Sequence, residues 1–268
     1  MHQGLTDLLR THAQALGLRP PARIPLRPVR AGLPGDWSSP LAHALATPDR
    51  SAEDIARALA ARLDQQPDLA AVRADTGSLT LTLSTAALAA GVRQLLEHRS
   101  VVTGRGPCPR SAQRAADARP EHRWPAALEP VAFAHARCRN VTRAARAHGV
   151  RPVPGEHLET ALTAVVEQER TRALLVHLGA LVPARQAPTV QHPPAALEDR
   201  PAGDPGASVL LRALADSYQA FYATTRTAPR GTEPVTSTHR THLTLTEATA
   251  VALAAGLSAL GLPAPEHL

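Results

Sequence analysis

Residues 69–98 read LAAVRADTGSLTLTLSTAALAAGVRQLLEH, and a change of period inside this stretch decides the fold. Leu79, Leu81 and Leu83 alternate with Thr80 and Thr82, which gives a strand one apolar and one polar face. Leu69 to Ala74 precedes it and Asp75 to Ser78 supplies turn residues, so the two segments read as a hairpin. From Ala86 to Glu97 the apolar residues recur at helical spacing instead. Strand and helix are therefore expected side by side in one small unit.

Toward the amino end the same mixture continues. Ser51 precedes Glu53 and Asp54 as a helix cap, and Ile55, Leu59 and Leu63 extend one apolar face to Pro67. Arg19 to Arg30 (RPPARIPLRPVR) holds four prolines, which restricts it to an edge strand or an extended arm. Leu5, Leu8, Leu9, His12 and Leu16 mark a first helix that Gly17 ends. Residues 1–98 are expected to form an α+β domain with a small antiparallel sheet.

Toward the carboxyl end the periods separate. Residues 99–127 are rich in Pro, Gly and Arg, lose the apolar period after Val102, and read as a basic linker. Beyond Trp124 the strand patterns disappear. Val131 to Gly149, Glu156 to Val182, Ser208 to Arg226 and Leu243 to Leu260 read as helices, so residues 128–268 are expected to be an all-α bundle. A mobile loop is expected at 183–206, which carries six prolines. The last helix is apolar on more than one face and is expected at the centre, with Gly261 as its stop.

Composition narrows the chemistry. The chain of 268 residues is 44% hydrophobic and only 2% aromatic, with a formal charge of +6. It contains no lysine, so its 29 basic residues are all arginine. That excludes a Schiff-base lysine and a phosphate-loop lysine. A GC-rich genome favours arginine whatever the protein does, so the net charge by itself says little about RNA. No apolar run of about 18 residues occurs, and the amino terminus does not resemble a signal peptide, so a cytosolic protein with no membrane partner is expected. Cys108 and Cys138 lack CxxC spacing and read as free thiols. His239 and His242 have no nearby carboxylate or cysteine, so no metal or other cofactor is expected.

One segment carries an unusual charge pattern. Val131 to Arg151 contains Arg137, Arg139, Arg143, Arg146 and Arg151 with His135 and His148, and not one carboxylate. On a helix Arg139, Arg143 and Arg146 share a face, a row suited to phosphate contact through counterion release. A solvated arginine-rich surface is the competing reading.

At this helix the sequence resembles the arginyl-tRNA synthetases. Their anticodon-binding domain of the DALR type opens with a pattern near Tyr-x-x-Tyr-x-His-x-Arg, and here those places run from Pro130 through Phe133 and His135 to Arg137. Leu210 to Tyr222 (LLRALADSYQAFY), Leu245 to Leu260 and the ending Pro263 to Leu268 (PAPEHL) are similar to that domain's last helices and tail. The resemblance implies contact with the anticodon loop by Phe133, Arg137 and the terminal Leu268, which stands where the family has methionine. Gly35, Asp36 and Trp37 resemble the family's Gly-Asp-Tyr signature in the domain that meets the transfer-RNA elbow. Trp37 then either packs against an RNA base or is buried behind a Gly-Asp turn capping a helix that starts near it.

In that family a nucleotide-binding catalytic domain separates these two parts, whereas only 21 residues separate Val102 from Trp124. No domain is that small. The expected function is a non-catalytic transfer-RNA-binding protein for an arginine acceptor, with Trp37, Phe133, His135, Arg137, Arg139, Arg143, Arg146 and Leu268 at the RNA. It would act with a protein partner that modifies or uses transfer RNA. The alternative is a protein-interaction or adaptor module on the same scaffold that no longer binds RNA.

Overall fold

A computed structural model describes residues 2–30, 32–104, 125–181 and 205–265. Leu268, Cys108, most of the expected linker and nearly all of the expected loop at 183–206 lie outside these residues. The chain divides into two compact units, Met1–Leu88 and Ala89–Leu268.

The first unit begins with helix α1 (His2–Ala15). Gly17 follows at φ 74°, where Leu18 N–H reaches back to Ala13 C=O, so a left-handed glycine ends the helix as the sequence indicates. Strands β1 (Arg27–Pro28) and β2 (Trp37–Ser39), short helix α2 (Leu41–Leu45), helix α3 (Ala52–Leu63), and strands β3 (Leu69–Asp75) and β4 (Ser78–Leu83) complete it. The four-stranded sheet has the order β1-β2-β4-β3 and every pair is antiparallel. The proline-rich segment thus supplies the edge strand. There a missing N–H costs nothing on the outer side.

The hairpin closes through Thr76 and Gly77, both at positive φ (42° and 85°), as a two-residue turn of type I′ requires. On β4, Leu79, Leu81 and Leu83 are buried while Thr80 and Thr82 are only half so. Helix α3 packs mainly on β3 and also on β4, α2 packs on α3 and β4, and α1 packs on α3. Ile55, Leu59 and Leu63 are fully buried with the β4 leucines. Each such side chain contributes about 1.5–3 kcal/mol relative to exposure. Ser51 Oγ accepts from Asp54 N–H at 3.1 Å, which confirms the cap of α3.

The Gly35-Asp36-Trp37 turn corrects one expectation. No helix starts at Trp37; it lies in β2, and α2 begins only at Leu41. The Asp36 carboxylate accepts from Leu83 N–H at 2.7 Å, and the Asp36 N–H donates to Leu81 C=O at 2.9 Å. Asp36 therefore ties β2 to β4. A Cβ on Gly35 would fall 2.3 Å from Thr80 Cγ2, and its φ of 93° is disfavoured for any other residue.

Helix α4 (Thr85–Gly104) runs past the expected end at Glu97, because nothing from His98 to Thr103 breaks a helix before Gly104. Its later part belongs to the second unit, where Arg93 Nε donates to Gly155 C=O at 3.2 Å.

The rest of the second unit holds α5 (Glu129–Ala147), a 3-10 turn (Gly155–His157), α6 (Leu158–Thr163), α7 (Glu169–Leu181), α8 (Pro205–Thr224) and α9 (Ser237–Ala259). The described residues beyond Pro125 contain no strand. Where the sequence suggests one helix from Glu156 to Val182 there are two, α6 and α7, parted by turns over 164–168. Thr163, Val165 and Val166 are β-branched and weaken helix at that point. Helix α9 starts six residues earlier than the apolar period, which begins at Leu243, because Thr236 and His239 form a reciprocal capping box at its head. It packs against α5, α6, α7 and α8, so it is the central helix.

Both histidines of the His239/His242 pair have structural work. His239 Nδ1 accepts from Thr236 N–H at 3.2 Å. His242 Nδ1–H donates to Arg226 C=O at 2.9 Å, and its ring meets Phe221 edge-on at 5.3 Å. The other ring nitrogen of His242 is buried without a hydrogen-bond partner among the described residues. Burial holds the His242 pKa below the ordinary 6.5, with a further push from nearby His239. Protonation is then favoured in the unfolded chain. The stabilising contribution is complete above about pH 6.5 and is lost as pH falls below it. Thermal melts between pH 8 and pH 5 should show midpoints that drop below pH 6.5, with a smaller drop in His242→Gln; equal drops in the two proteins would refute this assignment.

Candidate nucleic-acid interface

Helix α5 opens with Pro130 in its first turn, a position that suits proline because that N–H has no helical partner. Pro130 therefore starts the helix in the place where the synthetase pattern has its first aromatic. Phe133 and Arg137 follow four residues apart and share one side of α5. Phe133 is 43% exposed, an unusual position for one of only two phenylalanines in the chain.

Helix α8 brings Gln219 and Tyr222 to the same place. The Arg137 guanidinium carbon lies 4.4 Å from the Phe133 ring centroid and 4.8 Å from that of Tyr222. Both distances fit cation–π contact. Arg137 Nη1 also donates to Gln219 Oε1. Tyr222 is 42% exposed, so two ring faces and a cation are grouped at the surface across α5 and α8. Such a group can stack an unpaired base between or beside planar side chains while placing positive charge near a phosphate.

The remaining expected site residues are distributed differently. Trp37 is fully buried in β2 and has no face to offer a base. His135 is also buried; its Nδ1–H donates to Pro265 C=O at 2.8 Å and ties the tail to α5. It serves the packing of the bundle and does not face solvent. Arg139 is half-buried and already interacts within the protein. Arg143 is exposed and bonds Asn140 Oδ1 at 3.0 Å on the same helix.

Arg146 corrects the picture of an uncompensated row. Its Nη2 and Nε donate to one oxygen of Glu247, at 2.7 and 3.1 Å. Glu247 comes from α9 and its side chain is only 6% exposed. The carboxylate absent from α5 is supplied by another helix, so Arg146 neutralises a buried charge and is not a free phosphate ligand. Of the expected row, Arg143 is exposed and meets no carboxylate among the described residues.

Sequence reading missed Tyr222, Gln219 and Glu247. Tyr222 lies in an aromatic run with Tyr218 and Phe221, both fully buried, and in a chain so poor in aromatics such a run favours core packing. What frees Tyr222 is its place in the last turn of α8. The signal available was the pairing of Leu210–Tyr222 with the anticodon-helix pattern.

No family model matches the chain, and no solved structure matches it. Its curated relatives are arginine–tRNA ligases. That of Pseudarthrobacter chlorophenolicus is 35% identical over 139 residues, covering 52% of this chain and 23% of the ligase. That of Kineococcus radiotolerans is 34% identical over 140 residues, covering 52% and 22%. A shorter match, to the enzyme of Clavibacter sepedonicus, is 46% identical over 55 residues, covering 20% and 10%. About half of this chain is thus related to part of an arginine–tRNA ligase, and it spans less than a quarter of those relatives' length.

The Arg146–Glu247 pair predicts a contrast in stability. Arg146→Ala removes the guanidinium that faces a buried carboxylate and should lower urea-unfolding stability by about 1–3 kcal/mol, whereas Arg143→Ala should change it by no more than about 0.5 kcal/mol. Equal losses would mean that the pair does not hold in solution.

Proposed function

We propose that this protein binds transfer RNA of the arginine-accepting class and does not aminoacylate it. The observation that carries the proposal is the exposed Phe133–Arg137–Tyr222 group. Phe133 and Arg137 sit on the helix with the anticodon-domain pattern, and Tyr222 joins them from α8, in a chain of which half is related to part of an arginine–tRNA ligase. On this reading the helical unit is a DALR-type anticodon-binding domain and the α+β unit faces the transfer-RNA elbow. Arginine-to-phosphate contacts supply affinity, and loop-base contacts supply discrimination.

The chain's internal layout supports the absence of charging. The interval between Val102 and Trp124 has no room for a catalytic domain, and no lysine is present to serve a nucleotide-binding loop. A binder of this kind acts through another protein, one that modifies, cleaves or consumes transfer RNA. The adaptor reading, in which RNA binding is lost, draws support from one observation: Glu247 already balances Arg146, so the basic face is weaker than its sequence suggests.

Purification from the native cell and sequencing of bound RNA tests the proposal. Enrichment of arginine acceptors over other transfer RNAs is expected; RNA at background level in moderate salt would overturn it and favour the adaptor. With purified transfer RNA, Arg143→Ala should weaken binding and reduce the salt slope by about 1. Phe133→Ala should instead cost about 1–3 kcal/mol with little change in slope, because stacking releases no counterions.

A further inference from the structure

We propose that Gln219 selects the base that the helical unit accepts, by donating from its amide nitrogen to an acceptor on the edge of a base stacked beside Phe133 and Tyr222. This rests on the transfer-RNA reading above and adds to it a residue and a direction of hydrogen bonding. The argument starts from Arg137. A guanidinium can only donate, so the Gln219 oxygen must be the atom turned toward it, and the amide cannot be flipped without losing that bond.

The oxygen being committed, what Gln219 has left to offer is its NH2 group. No other group among the described residues bonds that nitrogen, and it is not among the buried unpaired atoms. Gln219 is half-buried, so the amide is held in place yet reachable. It stands one helical turn before Tyr222, whose ring flanks the guanidinium at 4.8 Å, with Phe133 at 4.4 Å. The group therefore presents two ring faces, one cation and one amide donor, and no carboxylate.

This arrangement reads acceptors. A base that turns carbonyl oxygens or a bare ring nitrogen toward Gln219 gains a hydrogen bond, as the O2 and N3 edge of an unpaired cytosine does. A base that turns an amino group there leaves two donors facing each other. Stacking on Phe133 and Tyr222 tolerates either base, so the choice falls on the amide.

The test uses the full-length protein and arginine-acceptor transcripts in which each anticodon-loop base is replaced in turn, with pyrimidine analogues lacking the O2 acceptor as probes. Wild-type protein should lose about threefold to tenfold in affinity at one loop position when the acceptor is removed, the size of one hydrogen bond. In Gln219→Met, which keeps the shape and removes the donor, that difference should vanish while the unfolding midpoint stays put. Gln219→Glu, which presents acceptors only, should abolish the same preference while keeping Arg137 in place. If the wild type binds but either variant retains the wild-type preference, Gln219 does not select the base. If the wild type binds none of the transcripts, the transfer-RNA reading itself fails.

Discussion

The helical unit depends on the burial of α9. Four helices pack around it, and from His239 to Ala250 almost every residue is shielded from water. Such a helix must satisfy its polar side chains internally, and it does so in two ways. Thr241, Thr244, Thr246 and Thr249 each donate to the carbonyl four residues back, so their hydroxyls cost little in the core. Glu247 is met by Arg146 from α5. Because α5 and α8 pack both on α9 and on each other, their relative position is fixed, and Arg137 meets Gln219 and Tyr222 as a consequence.

The same helix shows where sequence reading succeeds and where it stops. The quartet LTLT occurs at Leu79–Thr82 and again at Leu243–Thr246, as a strand in the first place and as the middle of a helix in the second. Alternation alone cannot separate them. At the first site a glycine turn precedes the quartet and an antiparallel partner lies just upstream. At the second, alanines and leucines extend an all-round apolar run for more than three turns. Context beyond the quartet made both elements legible, and also the central position of α9. The hidden head of α9 was a matter of threonines, whose helical use depends on bonds to carbonyls that a pattern does not display.

Contacts between distant residues were not legible at all. Arg146 and Glu247 are 101 positions apart and Arg137 and Gln219 are 82 apart, so no local spacing could pair them. Resemblance was informative in an uneven way. Phe133 is exposed, with the half-buried Arg137 against its ring. Gly35, Asp36 and Trp37 match a family signature yet serve the sheet: Gly35 gives Thr80 room, Asp36 bonds Leu83, and Trp37 fills the core. A shared motif there can persist for the sake of the fold, and any elbow contact must come from other residues of that unit.

These placements change the physical balance proposed for RNA binding. Counterion release counts phosphates neutralised by charges that were free beforehand. An arginine already facing a buried glutamate adds little to that count, and Arg137 has its guanidinium engaged by two rings and an amide. The long-range, salt-sensitive part of any affinity is therefore weaker than five arginines on one segment suggest. The short-range part is stronger, because the stacked group is held rigid by bonds within the protein and orders little on binding. On the proposed reading, a surface so divided would encounter RNA with modest attraction and discriminate mainly after contact, at the place where Phe133, Arg137, Gln219 and Tyr222 meet.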